Sequence, residues 1–389
     1  MKLRALFLGT AAAFAVSGGA QAADLALAVE PIDYVKVCDA FGTGYYYIPG
    51  TDTCLKVGGY IQLDVWFRDS NSVGNYANVT DTFFGYDPTS SDPLASTPGV
   101  NAQLLAKDSY SASWELTTEA GVNFTAKSMS DLGPIVTHFN FVTLSNNNDF
   151  NGTTKTVRFD GGYGAIGPAM FGWTASTFEV GGGYTYDGAV RSDTKVDQFR
   201  LSYLMGTWGI MLGLEDPRDR YGSAPKNATG DYPDIVLALT GGVGGFDIKA
   251  SGAITDRTSG TGWGVALAGE VDLGAAAKLK VAGAYSDNAY SYVSNYAANC
   301  SGKCDDGQWW SVFVSGIVAL SGNLDAAATA SWVVGDGGAS YKQNDLFEGA
   351  IGMYYHPTSN SEIGLEFLYI DPDGSDDSWG VHGRFKTTF

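Results

Sequence analysis

Few residues in this chain are equipped for covalent or metal chemistry. Its four cysteines fall as two pairs, Cys38 with Cys54 and Cys300 with Cys304, and neither has the C-x-x-C spacing of a redox site. Zinc would need ligands beyond two thiolates, and none lies near Cys38 or Cys54 in sequence. The histidines, His138, His356 and His382, are too far apart to form a local metal-ligand motif. No His-Glu-x-x-His or Gly-x-Ser-x-Gly occurs, and the glycines at 241–245 have no helix after them to cradle a phosphate. A lipid-facing Ser–His pair, as a barrel phospholipase needs, is not offered either: His382 has inward parity, and His138 precedes an outward Phe139. The expectation is a non-enzyme with no catalytic residue, metal or cofactor. What remains is charge that can act on passing ions, and thiols that can staple.

The elements that must position these residues begin after a leader. Lys2 and Arg4 precede an apolar run, Ala5–Val16, and Ala20-Gln21-Ala22 closes it with a small-x-small cleavage pattern, so residues 1–22 read as a secretory signal peptide. Export permits disulfides. The leader takes two of 23 basic residues and none of 42 acidic ones, moving the formal net charge from −19 to −21. That sign excludes a nucleic-acid partner, which would demand a clustered basic face. No later segment is apolar enough for a transmembrane helix. Yet the chain holds 52 glycines, 22 tyrosines, 20 phenylalanines and nine tryptophans at a mean hydropathy of −0.05. An exported, aromatic, Gly-rich chain of mild hydropathy fits a transmembrane β-barrel, in which only every second residue meets lipid.

Period-two alternation carries that reading. Val57, Ile61, Leu63, Val65 and Phe67 share one parity while Tyr60, Gln62 and Asp64 take the other. The same pattern returns at Trp208–Leu214, Phe246–Ile254, Trp263–Val271, Leu279–Tyr285, Ile363–Tyr369 and Trp379–Phe389. Short glycine-bearing or polar turns alternate with longer polar stretches near 69–108, 146–153, 173–193, 216–231, 255–261, 287–307, 335–345 and 371–377. Eight long stretches imply eight hairpins: an all-β antiparallel barrel of about 16 strands, with short periplasmic turns and long extracellular loops. Trp208, Trp263, Trp310, Trp332 and Trp379 stand near strand ends, where an interfacial girdle places aromatic rings. A soluble barrel of this size could not fill its interior, so the apolar faces must meet lipid and the polar faces must line water. Phe389, in phase with Phe385 and Val381, places an aromatic residue at the chain end.

The most specific stretch is DYVKVCDAFGTGYYYIPGTDTCLKVGGYIQLDVWF, residues 33–67. It resembles the N-terminal signature of the alphaproteobacterial porins of Brucella and rhizobia in Tyr34–Ala40, Tyr45–Thr51 and Cys54–Val57. Asp231-Tyr232-Pro233-Asp234 and the Arg384-Phe385…Phe389 ending agree less specifically, and Gly58 stands where the family more often has histidine. The resemblance implies a 16-stranded homotrimer in the bacterial outer membrane. It would meet lipid and lipopolysaccharide outside, be folded by the barrel-assembly machinery through the Phe389 signal, and pass small hydrophilic solutes passively. It also implies that the third external loop folds inward.

That loop is residues 173–193, within a barrel domain 57–389 that follows a periplasmic segment 23–56. Glu179, Asp187 and Asp193 give the loop negative charge, and Gly181–Gly183 let it fold back. Arg158, Arg200, Lys249, Arg384 and Arg68 have inward parity and are expected on the facing wall. Acidic loop against basic wall would create a transverse field that orients polar solutes. The alternative is that the arginines simply pair with nearby inward carboxylates. The net charge predicts a mild cation preference. Cys38–Cys54 is expected to staple a hairpin of Val35–Val37 with Tyr45–Ile48 at the first strand's periplasmic doorway, and Cys300–Cys304 to close a small loop or remain free thiols. A solute-specific channel of the same fold is the runner-up, and an adhesive surface protein using loop 69–108 the more distant rival.

Overall fold

The computed structural model describes residues 36–68, 114–146, 154–221, 231–257, 260–294, 307–335, 345–372 and 377–389. The leader, the whole of the 69–108 stretch, Cys300 and Cys304 lie outside the described residues. The strands are β1 (Tyr46–Tyr47), β2 (Cys54–Arg68), β3 (Trp114–Ser130), β4 (Gly133–Asn146), β5 (Thr154–Ile166), β6 (Ala169–Ala175), β7 (Lys195–Met205), β8 (Trp208–Glu215) and β9 (Asp234–Val243). They continue with β10 (Phe246–Arg257), β11 (Gly260–Asp272), β12 (Ala277–Asp287), β13 (Gln308–Ser321), β14 (Leu324–Gly335), β15 (Leu346–Thr358), β16 (Ser361–Pro372) and β17 (Ser378–Thr388). β2 to β17 pair antiparallel in chain order, and β17 returns to β2, closing a 16-strand barrel. Closure leaves the sheet without a free edge strand, which lipid could not satisfy, although β5 pairs with the short β6 only over Gly162–Ile166.

Parity decides which face meets lipid. On β2, Ile61 and Phe67 are exposed while Gln62 and Asp64 between them are buried in the lumen wall. Outward Trp263, Trp310, Trp332 and Trp379 belong to a belt with Tyr285, Phe347, Phe367 and Tyr369, in ring contacts such as Trp332–Phe347 at 4.9 Å and Trp263–Tyr285 at 5.4 Å. Such amphipathic rings suit the headgroup level. At the other end, Gly244 and Gly245 make the two-residue turn between β9 and β10, both at positive φ (62° and 82°), as a tight hairpin turn requires.

The seam is finished by the last residue. Phe389 and Gly59 exchange backbone hydrogen bonds of 3.0 and 3.2 Å, and the Phe389 ring lies where a Gly59 side chain would stand. Cys38 and Cys54 form a disulfide with Cα atoms 6.0 Å apart. The hairpin beneath it pairs Lys36–Cys38 with Tyr45–Tyr47 and then joins the barrel, because β1 also pairs with Leu55 and Cys54. Cys38, Cys54 and Tyr45 are buried together, and Lys127 of β3 lies 5.1 Å from the Tyr45 ring centre. The staple therefore sits at the end of the barrel that carries the short turns.

The inner loop expected at 173–193 runs instead over 176–194, because β6 continues to Ala175 and β7 begins at Lys195, and a second stretch differs more. Residues 255–261 are not a long polar stretch: β10 and β11 pair out to Arg257 and Gly260. Thr255 and Arg257 are polar because they face the interior, where both are buried.

Candidate functional site: the lumen and its inner loop

β6 is only seven residues long against 13 for β5, because the chain leaves the wall after Ala175 and returns to it at Lys195. The loop between them, 176–194, is closed at its base. The Ser176 amide donates to the Thr194 carbonyl at 3.0 Å, and the Glu179 carboxylate accepts from the amides of Thr194 (2.8 Å) and Ser176 (3.3 Å). Burial, reinforced by the charge of Asp193, pushes the Glu179 carboxyl up to about 7.

A buried cation ties both ends of the loop down. Arg220, on the helical turn Pro217–Tyr221, donates to Glu215 Oε2 at 2.8 Å, to Ser192 Oγ at 3.1 Å and to the Ser176 hydroxyl. Glu215 also accepts the Thr177 amide at 2.7 Å. The Arg220 guanidinium lies 4.0 Å over the Tyr292 ring, whose hydroxyl donates to Asp234 at 2.6 Å. Every charge in this network has a charged or hydrogen-bonding neighbour, which a dry site demands.

From there the loop crosses the inner wall of β11 to β17. The Tyr184 amide donates to Ser315 Oγ (2.8 Å), that of Tyr186 to Glu366 (2.6 Å), that of Gly188 to Glu348 (3.0 Å) and that of Val190 to Ser331 Oγ (3.2 Å). At the tip, Tyr186 donates its hydroxyl to Glu362 at 2.5 Å, and the Arg384 guanidinium lies 4.0 Å over its ring. Asp187 faces Nδ1 of His382 at 3.0 Å, while Nε2 of the same ring faces Asp64 at 2.7 Å and Trp66 stacks on it at 3.9 Å. A ring protonated on both nitrogens could donate to both carboxylates at once. Asp187, Glu366 and His382 also offer ligand atoms within 4.8 Å of one another, a spacing a divalent cation could use only by displacing those hydrogen bonds.

The residues singled out from sequence thus occupy different places. Asp187 is turned into the wall, Glu179 caps the loop's own backbone, and Asp193 pairs with Arg191. Arg384 pairs with Asp64 at 2.7 Å, Arg68 with Glu115 at 2.9 Å, and Arg158 lies 3.8 Å from Asp160. Arg200 and Lys249 face the lumen from β7 and β10, Arg200 standing between exposed Phe199 and Leu201. Arg68 is held by Glu115 of β3 rather than by the loop.

Sequence reasoning missed Asp64, Glu215, Arg220, Glu348, Glu366 and His382 as the loop's supports. A signal for the seat exists in the inward positions of β11 to β16. Ala266, Ala268, Ala282, Ser315, Ala327, Thr329, Ala350 and Gly364 are small where an open lumen would carry long polar chains. Small inward residues leave room for a packed loop.

A closed barrel with a lipid-compatible exterior and a polar interior crossed by a pinned loop defines an outer-membrane channel, and the reading of an adhesive surface protein gives way to it. The chain belongs to the porin subfamily, whose family model matches residues 24–387, and so forms an outer-membrane channel for passive diffusion of small hydrophilic solutes. It is 27% identical to porin Omp2b of Brucella abortus over 412 aligned positions, covering 100% of both chains. In fold it is similar to the outer-membrane channel DcaP of Acinetobacter baumannii (TM-score 0.63, 15% identity, 88% of this chain and 99% of that one). It is also similar to OmpT of Vibrio cholerae in a trimer form (TM-score 0.52, 11% identity, 86% and 100%). The family identity suggests a channel rather than an enzyme.

Proposed function

We propose that the protein works as a homotrimer in which the loop 176–194 narrows each lumen, and that the wall cations Arg158, Arg200 and Lys249, more than the loop carboxylates, set its ion preference. The observation that carries this is the engagement of Asp187 with His382 in the wall, away from the path. A carboxylate sealed behind the loop contributes little field to an ion on the other side, whereas wall charges act at short range in a narrow, low-dielectric passage. The apolar exterior would be covered by outer-membrane lipid and lipopolysaccharide, and Phe389 would serve as the terminal signal to the assembly machinery.

Reversal potentials in a KCl gradient across planar bilayers test the charge assignment. Arg200→Gln with Lys249→Gln shifts the cation-to-anion permeability ratio upward by roughly twofold or more, the order expected for removing charge from a constriction. Asp187→Asn shifts it far less. Equal shifts, or a larger one for Asp187→Asn, would return the selectivity to the loop. Liposome swelling with sugars of graded size should show a smooth size cutoff for the native protein, and three-step closure in the bilayer would report the trimer.

A further inference from the structure

A second segment enters the barrel from the end that carries the long loops. Residues 287–307 read from sequence as one external polar stretch, yet after β12 ends at Asp287 the chain turns inward. Ala289, Tyr292, Val293 and Ser294 are fully buried, around a single 3₁₀ turn at Tyr290–Tyr292. The segment packs on the inner loop: Tyr292 meets Phe178 edge-on at 4.8 Å, and Ser192 Oγ donates to the Ser291 carbonyl at 2.9 Å. On the wall side, Tyr290 meets Trp309 edge-on at 4.7 Å, and Ser311 Oγ donates to the Val293 carbonyl at 3.0 Å. Two glycines of β11 make room for it. A side chain on Gly262 would strike the Asn288 carbonyl, and one on Gly264 would stand 2.8 Å from Tyr292 Cβ.

The two segments share apolar clusters inside the barrel. Phe178 and Tyr292 pack with Val236, Ala253 and Ala266, while Val190, Tyr290 and Val293 pack with Trp309 and Val333. Packing of this kind leaves no room for water. Its effect on the lumen is one-sided. Ser286 on β12, Ser315 on β13 and Ser331 on β14 face the interior yet are sealed from solvent, whereas Arg158 on β5 keeps 34% of its side chain exposed and Lys195 on β7 keeps 40%. A lumen filled with water throughout would wet small inward polar residues on every strand. The seal is also confined to the outer half. Nearer the short turns, inward Lys249 on β10 and Glu270 on β11 are only half-buried.

We infer that residues 288–294 are a second inward element of the channel: with the inner loop they seal the β10–β14 side of the outer lumen, so that solutes enter only beside β3 to β5. The inference rests on reading the protein as a channel narrowed by that loop. Tyr292 is a positioning residue in this arrangement. Its ring backs Phe178 and lies beneath the Arg220 guanidinium, so the segment holds the loop's base from behind. Displacing the segment therefore widens the path as well as opening the sealed side.

The test compares solvent access on the two sides. In full-length protein carrying Cys300→Ser and Cys304→Ser, with Cys38 and Cys54 bonded to each other, only an introduced thiol can react. Ala266→Cys on β11 and Thr117→Cys on β3 place one small thiol on each interior face. A membrane-impermeant sulfonated maleimide should modify Thr117→Cys freely, and Ala266→Cys on the order of a hundredfold more slowly, as expected of a site reached only by local opening. Gly264→Val, which forces Tyr292 from its seat, should remove that protection, raise KCl conductance in planar bilayers and enlarge the sugar cutoff in liposome swelling. Gly252→Ala, with open space around its Cβ, should change none of these. Should Gly264→Val fail to give a folded band, Tyr292→Ala empties the same seat. Equal modification of the two thiols in the otherwise native barrel overturns the seal. Conductance and cutoff unchanged by displacing Tyr292 overturn the segment's part in narrowing the path. A native protein with no KCl conductance would overturn the channel reading instead, while the labelling contrast still decides the seal by itself.

Discussion

At the scale of single residues, the narrowing of the pore depends on places where a side chain is absent. Gly364 on β16 has no side chain because the Tyr186 ring and hydroxyl occupy that space, next to Glu362, Tyr354 and Arg384. Gly364→Val therefore evicts the loop tip without touching the strand's pairing or its lipid face. Overpacking of this kind costs about 1–3 kcal/mol, and the loop seat yields before the barrel does. The expected outcome is a larger open-channel conductance with more current noise, at unchanged heat-modifiable migration on gels. Gly322→Ala, with open space around its Cβ, should leave conductance as it was. A conductance unaffected by Gly364→Val would mean that the Tyr186 seat does not govern the width. His382 shows the limit of sequence at this scale. Its inward parity was legible, but its two carboxylate partners come from β2 and from the loop, hundreds of positions away in sequence, and no local pattern announces them.

At the scale of elements, the strands were legible because lipid and water impose a period of two on every one of them. The error at 255–261 has the same source, since a polar residue facing the lumen and a polar residue in a loop look alike in sequence. The inner loop was legible as a stretch, but its seat was not, because the contacts that pin it are long-range. Its base makes a pH prediction. Glu179 is held up to about 7, so the packed loop binds its proton more tightly than an unpacked loop with an ordinary carboxyl would. The contribution to packing is complete below the ordinary carboxylate range and is lost as pH rises through about 7. Current noise from loop motion should therefore be lower at pH 5.5 than at pH 8.5, and Glu179→Gln, which stays neutral, should abolish the difference. Noise that increases on acidification would contradict this sign.

At the scale of the whole molecule, two closures act together: the ring of strands, sealed where β17 meets β2, and the disulfide that holds the N-terminal hairpin onto β2 just outside that seam. The first is built from backbone pairing along the full strand and from the Phe389–Gly59 exchange. The second covers only the short hairpin, with Cys38 and Cys54 separated by 16 positions. Cross-linking across a loop of that length contributes about 3 kcal/mol in the chain-entropy model. A two-stranded hairpin is marginal by itself, so its order depends on that bridge, on the packing of Tyr45 with the two cysteines and on the short pairing of β1 with β2. The barrel does not share this dependence. Cys38→Ser with Cys54→Ser should leave heat-modifiable migration and KCl conductance close to native, while residues 36–53 become open to protease and their amides exchange rapidly. If the double variant instead loses the folded band, the hairpin is required for closing the ring, and the staple acts on assembly as well as on the finished doorway.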